Sequence, residues 1–257
     1  MRTGPFALTF AALFGAVIGS FLNVCIHRLP RDTSIVWPAS ACPTCGRALS
    51  WFENIPILSY AFLRGRCRTC RAPISMRYPI VEALTAAMFA LAWWHYGPGP
   101  LLVSRLVFGC ALIVLFAIDL EFHLLPNVIT LTGIVIGFLL SFTTDQPGWR
   151  SSLIGIVAGG GVLFLIAEGY YRLRHEEGLG MGDVKMLAMM GAFLGWPLAI
   201  LSLMIASVAG TIVGLALIVT GRGTMKYALP FGTFLAIGAA VSAAAGQAIL
   251  RWYFRLW

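Results

Sequence analysis

The sequence predicts an all-α protein that crosses a membrane about eight times and carries a cytoplasmic zinc-ribbon-like loop between its first two spans. Hydrophobic residues make up 59% of the 257 residues and charged residues only 11%, whereas soluble domains carry about 25% charged residues. Several apolar runs approach or exceed the ~18 residues that indicate a spanning helix. Four of the six cysteines lie in one polar segment as two Cys-x-x-Cys pairs, which is the pattern of a metal site.

Eight apolar segments are the predicted spans, and they lie at 6–27, 79–96, 101–120, 127–143, 151–171, 184–196, 198–219 and 229–250. We expect the first to be a span and not a cleaved signal peptide, because no basic n-region and no small-residue cleavage site frame it. The sixth is short, so we expect it to be tilted, re-entrant or extended by its neighbours. We find no internal repeat. The spans suggest a first helix (1–27), a loop (28–78) and a transmembrane domain (79–257).

Basic residues predict the orientation of the chain. The polar segments 28–78, 172–185 and 221–227 hold 13 of the 18 lysines and arginines, and eight spans place all three on the same side. The positive-inside rule puts that side in the cytoplasm, and both termini then face the opposite side. The net charge of +8 is thus assigned to cytoplasmic loops, so we expect the lipid bilayer as a partner and no nucleic acid.

Two aspartates are the predicted catalytic residues. Asp119 ends the third span, and Asp183 begins the sixth span directly after Gly180-Met181-Gly182. The predicted topology places both at the cytoplasmic membrane edge, although no acidic residue was used to derive it. Ionisable groups at membrane depth are costly and mark functional sites. Taken singly, each has a simpler interpretation, because a span end tolerates charge and an Asp at a helix start is an ordinary N-cap.

Paired carboxylates have a chemistry that single ones lack. Like charges a few ångströms apart share a proton, so one member stays ionised and the other protonated. The ionised member can take a proton from water while the other donates to a scissile carbonyl oxygen. Glycines allow another chain to approach the backbone closely, so we expect Gly180 and Gly182, together with Lys185, to support the active-site loop.

The cysteine pairs predict a structural zinc site. Cys42, Cys45, Cys67 and Cys70 can supply four thiolates in a tetrahedron and leave no open position for catalysis. A cytoplasmic loop keeps its thiols reduced, and a metal supplies folding energy that a short loop lacks. Unliganded thiols or a redox pair are the alternatives.

In its motifs the chain resembles the type IV prepilin peptidases, which are also prepilin N-methyltransferases. The two Cys-x-x-Cys pairs take part in this resemblance, which is nearly full-length. The other matching motifs are residues 19–30 (GSFLNVCIHRLP), 53–56 (ENIP), 77–82 (RYPIVE), 118–119 (ID), 178–185 (GLGMGDVK) and 230–232 (PFG).

The resemblance implies a multi-pass aspartyl peptidase of the bacterial inner membrane. Such enzymes cut a short basic leader from type IV prepilins or type II secretion pseudopilins after a glycine, at the cytoplasmic face. They then methylate the new N-terminal residue with S-adenosylmethionine. The family's catalytic aspartates correspond to Asp119 and Asp183, and its methyltransferase activity is tied to the large cytoplasmic loop. The resemblance assigns no residues to S-adenosylmethionine binding.

Two other functions compete with this interpretation. An intramembrane protease of the presenilin or signal-peptide-peptidase kind also uses Gly-x-Gly-Asp, but the cysteine loop and the motif at 19–30 argue against it. A membrane scaffold or transporter whose aspartates bind cations would cleave no peptide and would not depend on both aspartates together.

Overall fold

The protein is helical throughout the parts described by the computed structural model, which are residues 4–174, 180–220 and 229–255. These parts contain two short 3₁₀ helices, Leu29–Arg31 and Trp51–Asn54, and no strand. The α-helices in them are α1 (Pro5–Arg28), α2 (Leu58–Phe62), α3 (Arg77–Tyr96), α4 (Pro100–Phe122), α5 (Asn127–Leu140), α6 (Trp149–Arg174), α7 (Met181–Leu194), α8 (Trp196–Val219) and α9 (Phe231–Arg255). The predicted all-α class is confirmed. Gly178 of the 178–185 motif, and Arg222 and Lys226 of the third basic segment, lie outside the described residues.

Every predicted span is a helix, and five of the described helices are long and apolar enough to cross a membrane: α1, α4, α6, α8 and α9. The chain is therefore a multi-pass membrane protein. The remaining predicted spans correspond to α3, α5 and α7. The last two have 14 residues each, or about 21 Å of helix, which is less than the ~30 Å hydrocarbon core. Spanning by these three helices stays a prediction.

The chain forms two compact units, of which the first ends at Leu102 and the second begins at Val103. In the first unit α1 packs closely along α3. A Cβ added to Gly19 would lie 2.8 Å from the Cα of Glu82, so the two backbones touch in the way that small residues allow in membrane helix pairs. Asn23 Nδ2 donates to Tyr78 O at 3.1 Å, and Glu82 accepts the N–H of Ile57 at 2.7 Å. The second bond ties the polar loop to the helix pair.

The second unit is built around α7. Eleven of its 14 residues are buried, which explains why this helix is apolar on all sides although it is short. Glycines let its neighbours approach: a Cβ added to Gly191 would collide with the backbone of Gly155 in α6, and one added to Gly133 of α5 would collide with the Met189 side chain. The structure thus makes the short sixth segment the central helix of this unit, and this buried position fixes the location of Asp183.

Candidate active site and cysteine cluster

Asp119 lies near the C-terminal end of α4 and is 5% exposed. Its Oδ2 accepts two hydrogen bonds from Thr233, one from the backbone N–H at 2.6 Å and one from Oγ1 at 3.0 Å. Thr233 is in the first turn of α9, where backbone N–H groups have no partner within the helix. The Asp119 carboxyl group therefore caps α9. Thr233 is absent from the sequence-predicted site, and its only sequence signal is its position directly after the 230–232 motif.

Gly232 permits this contact between α4 and α9. A Cβ at this position would lie 3.0 Å from both Cγ and Oδ2 of Asp119, and 2.9 Å from Cδ1 of Leu125. Real Cβ atoms essentially never approach a neighbour more closely than 3.0 Å, so a side chain here would push the carboxyl group or Leu125 aside. The glycine of the 230–232 motif thus has a steric role at Asp119.

Asp183 occupies the first turn of α7 and is 9% exposed. Its N–H donates to Gly180 O at 3.1 Å, and Gly180 is the exposed N-cap of the helix. A Cβ added to Gly182 would lie 3.0 Å from the Leu125 Cβ. The two glycines predicted from the sequence therefore have different positions: Gly180 is the N-cap that precedes the helix, and Gly182 packs against the segment that follows α4.

Leu125 joins the two halves of the site. It contacts Gly182, the neighbour of Asp183, and also Gly232, which packs directly on Asp119. The two carboxyl groups are near enough to interact electrostatically. The structure thus brings Asp119 and Asp183 together at the ends of α4 and α7, with the start of α9 behind Asp119. Two buried carboxyl groups in this arrangement can act as an acid–base pair.

Lys185 lies one turn from the start of α7 on a different face from the carboxyl pair. Its Nζ donates to Oδ1 of Asn127, the first residue of α5, at 2.9 Å. This bond ties the start of α7 to the start of α5, and the supporting role of Lys185 at the active site stays a prediction.

The four predicted zinc ligands form a cluster in the first unit. The Sγ atoms of Cys42, Cys45, Cys67 and Cys70 all lie within 4.8 Å of one another, and the Sγ atoms of Cys42 and Cys70 are 3.8 Å apart. A Zn–S distance of about 2.3 Å gives a tetrahedron with S–S edges of about 3.8 Å. The donor set and its spacing therefore fit a metal ion of this kind.

Backbone hydrogen bonds shape the two Cys-x-x-Cys turns in the same way. In the first turn, the N–H of Cys42 donates to Arg47 O and the N–H of Gly46 donates back to Cys42 O, both at 2.9 Å. In the second turn, the N–H of Cys67 donates to Ala72 O at 2.9 Å, and the N–H of Arg71 donates back to Cys67 O at 3.1 Å. An isolated antiparallel bridge closes each turn. The expectation of no internal repeat is wrong here, because residues 40–50 and 65–75 are two copies of one turn.

Local charges differ among the clustered thiols. Backbone N–H groups of Cys70 and Thr69 lower the pKa of Cys67 to about 6. At Cys70 the N–H of Ala72 favours the thiolate, but burial and the neighbouring thiols outweigh it and raise the pKa to about 11. Four thiolates so close together repel one another, and a bound cation removes that repulsion.

Glu53, from the 53–56 motif, fastens the first turn to the rest of the loop. Its Oε1 accepts a hydrogen bond from Arg47 Nη2 at 2.6 Å, and its Oε2 accepts the N–H of Ser50 at 2.9 Å. The hydrogen bond from Arg47 holds the pKa of Glu53 below its usual value. Glu53 therefore anchors both the first cysteine turn and the 3₁₀ helix Trp51–Asn54.

Comparison with known proteins gives a consistent result. The model of the Bacterial Peptidase A24 N-terminal domain matches residues 13–96, and that of the Type IV leader peptidase family matches residues 106–215. No solved structure matches the chain.

Curated relatives with the name prepilin leader peptidase/N-methyltransferase match most of the chain. The protein from Burkholderia pseudomallei (strain 1026b) is 39% identical, over 91% of this chain and 84% of its own length. The protein from Myxococcus xanthus is 42% identical, over 85% and 66%, and that from Aeromonas hydrophila is 37% identical, over 96% and 93%. On these matches the chain belongs to the type IV leader peptidase family, as its motifs predicted.

Proposed function

We propose that this protein is an aspartyl endopeptidase that removes the short basic leader of type IV prepilins or type II secretion pseudopilins. Cleavage follows a glycine at the cytoplasmic face of the bacterial inner membrane. The same protein then methylates the new N-terminal residue, with S-adenosyl-L-methionine as methyl donor. The observation that carries the peptidase proposal is the convergence of two buried carboxyl groups, Asp119 and Asp183, from separate helices.

The carboxyl pair hydrolyses the peptide bond by moving protons between water and substrate. One carboxylate takes a proton from water as the water oxygen bonds to the scissile carbonyl carbon, and the other carboxyl group donates its proton to the carbonyl oxygen. The resulting diol collapses when the C–N bond breaks. The first group then gives its proton to the leaving nitrogen, and the second takes one back from the diol, so both return to their starting states.

The cysteine cluster has a structural role in this proposal. Cys42, Cys45, Cys67 and Cys70 hold Zn²⁺, and four protein ligands leave no position for water or substrate. The ion stabilises the fold of the loop. We assign methyl transfer to the N-terminal part of the chain, because the resemblance ties that activity to the loop. Peptidase activity belongs to the part from 79 to 257, which contains both aspartates.

Mass spectrometry of the N-terminus of a co-expressed prepilin tests both activities. The wild-type protein should remove the leader and add about 14 Da, the mass of one CH₂ unit. Asp119→Asn and Asp183→Asn should each leave the leader intact. Glu121→Gln is the matched control, because it removes an exposed carboxylate from the same helix as Asp119, and it should cleave normally.

The other outcomes separate the competing functions. Cleavage without the added mass would leave a peptidase alone. Cleavage that survives either aspartate substitution would remove that residue from the pair. An intact leader with the wild-type protein would contradict the proposed substrate and favour another protease substrate or a transporter.

A further inference from the structure

We propose that Thr233 is a positioning residue that holds Asp119 as the proton-accepting carboxylate, so that Asp119 activates the water and Asp183 protonates the scissile carbonyl oxygen. This inference rests on the proposed peptidase function and adds to it a division of labour between the two aspartates. It also adds a residue that the sequence analysis did not identify.

Only one of the two oxygens of the Asp119 carboxyl group accepts hydrogen bonds from Thr233. Both hydrogen bonds from Thr233 reach the same oxygen, Oδ2, at 2.6 Å from the backbone N and 3.0 Å from Oγ1. Neither of them reaches Oδ1, so Oδ1 remains the oxygen that can accept a proton from water. Two donors on one oxygen also fix the rotation of the carboxyl group, since it cannot turn without breaking both bonds.

The donors favour the ionised form of Asp119. A hydrogen bond donated to a carboxylate stabilises the charged state, and such charge-assisted bonds are about twice as strong as neutral ones. Thr233 also lies in the first turn of α9, and the start of a helix attracts negative charge. The first turn of α9 therefore stabilises the negative charge of Asp119.

Asp183 is in a different environment. Its own N–H is used by Gly180 O, and the backbone of Gly180 is the one hydrogen-bonding group that acts on its carboxyl among the described residues. When two nearby carboxyl groups share one proton, the proton resides on the group whose charge is less well stabilised. The arrangement thus gives the proton to Asp183 and leaves Asp119 ionised, which assigns the general acid and the general base.

The side chain and backbone of Thr233 can be tested separately. Thr233→Val removes the Oγ1 donor and keeps both the shape and the backbone N–H, whereas Thr233→Ser keeps both donors. Thr130→Val is the matched control, because Thr130 is also a buried threonine of this unit, and its Oγ1 bonds only weakly, at 3.4 Å, to Pro126 O. All three variants are purified in detergent as full chains and assayed on a synthetic prepilin peptide.

We expect Thr233→Val to lower kcat about 10- to 100-fold, the effect of losing a hydrogen bond to a charged group, with KM unchanged. Thr233→Ser should restore kcat, and Thr130→Val should match the wild type. Methyl transfer to a pre-cleaved pilin peptide reports on folding and should be unaffected in all three. A loss confined to kcat and rescued by serine is not expected of a threonine that only supports the fold.

Three results would overturn the inference alone while wild-type cleavage upholds the proposed function. They are an unchanged kcat in Thr233→Val, a loss in Thr233→Ser as large as that in Thr233→Val, or an equal loss in Thr130→Val. A wild-type protein that leaves the leader intact would instead overturn the proposed function, and the inference with it.

Discussion

The cysteine cluster and the aspartate pair are assembled in opposite ways. The cluster takes its ligands from two short turns whose backbones hydrogen-bond to themselves. The aspartate site takes one carboxyl group from α4, one from α7, and a pair of hydrogen-bond donors from α9 that lies 114 residues from Asp119 in the chain. One site is encoded locally, and the other exists only when distant helices pack correctly.

This difference determines what a substitution does. Within the cysteine turns, a change alters the affinity for a metal or the shape of a single turn. At the aspartates, a change that only shifts α9 against α4 removes the donors from Asp119 without touching a catalytic group. We therefore expect the loop to respond to metal and pH, and the aspartate site to respond to the packing of small residues.

Removal of two ligands should have the largest effect. In Cys42→Ser combined with Cys67→Ser, each turn loses one thiolate, and zinc content should fall from one ion per chain to almost none. Structural zinc contributes about 10–16 kcal/mol of binding free energy in isolated zinc fingers, so the loop should also become sensitive to protease. Inductively coupled plasma mass spectrometry measures the metal, with Cys110→Ala as the control.

The same double variant tests whether the two regions act separately. We expect prepilin cleavage to persist and N-methylation to fail, because the loop serves the second reaction. Unchanged zinc content would contradict the metal assignment, and loss of cleavage together with methylation would contradict the separation.

Gly232→Ala should have the next largest effect, a slower rate of prepilin cleavage. The added methyl group would lie 3.0 Å from the carboxyl group of Asp119, which must then shift by a few tenths of an ångström, so cleavage should slow by less than the ~100-fold cost of a ~1 Å misplacement. Gly161→Ala is the matched control, because a Cβ at Gly161 of α6 meets nothing within 4 Å. Cleavage rates of the two variants measure the effect, and equal rates would contradict the steric role of Gly232.

Glu53→Gln should have a smaller, pH-dependent effect in the loop. Because Arg47 lowers the pKa of Glu53 in the folded state, the charged Glu53 stabilises the fold above the ordinary Glu pKa of about 4.3. That stabilisation is lost as the pH falls through the lower pKa of the folded state.

Hydrogen exchange at the Ser50 amide, which donates to Glu53 Oε2, provides the measurement. The amide should exchange faster in Glu53→Gln than in the wild type above about pH 5, where Glu53 is ionised in folded and unfolded states alike. The difference should shrink on further acidification. A difference that is constant with pH would contradict the ion pair as its cause.

The smallest effect should come from the one place where the two cysteine turns differ in strain. Gly46 has φ +70°, and the equivalent position in the second turn is Arg71 with φ +60°. A non-glycine residue pays about 1–2 kcal/mol in this left-handed region, so Arg71→Gly should slow zinc loss to a chelator and Gly46→Ala should speed it. A change in the same direction in both variants would contradict the strain difference between the turns.

Most of the helices were predictable because the apolar segments are long and contain few charges. The central position of α7 was not predictable, because a 14-residue apolar helix has the same sequence pattern whether lipid or protein surrounds it. Asp119 and Asp183 stood out as rare charges at the ends of apolar runs. Thr233 did not, because an ordinary threonine acquires its role only when α9 meets α4, a contact that no local pattern encodes.

The cysteine turns show the reverse case. Their ligands were evident from spacing alone, since four cysteines in two pairs have few other uses. The repeat that contains them also has a sequence signal, because Cys-x-Thr-Cys and a serine five residues later recur 25 residues apart, ending at Ser50 and Ser75. The backbone bridges lie at equivalent positions, between Ala41 and Ala48 in the first turn and between Arg66 and Pro73 in the second.

A comparison of cleavage rates among Asp119→Asn, Asp183→Asn and the double variant tests the central claim, that the two carboxyl groups work as one unit. Residues that act as a unit are not additive, so each single substitution should cost about as much as both together. Each loss should be at least about 10³-fold, within the range of acid–base catalysis. If the double variant instead loses the product of the two single losses, the aspartates act independently and the account of a shared proton is wrong.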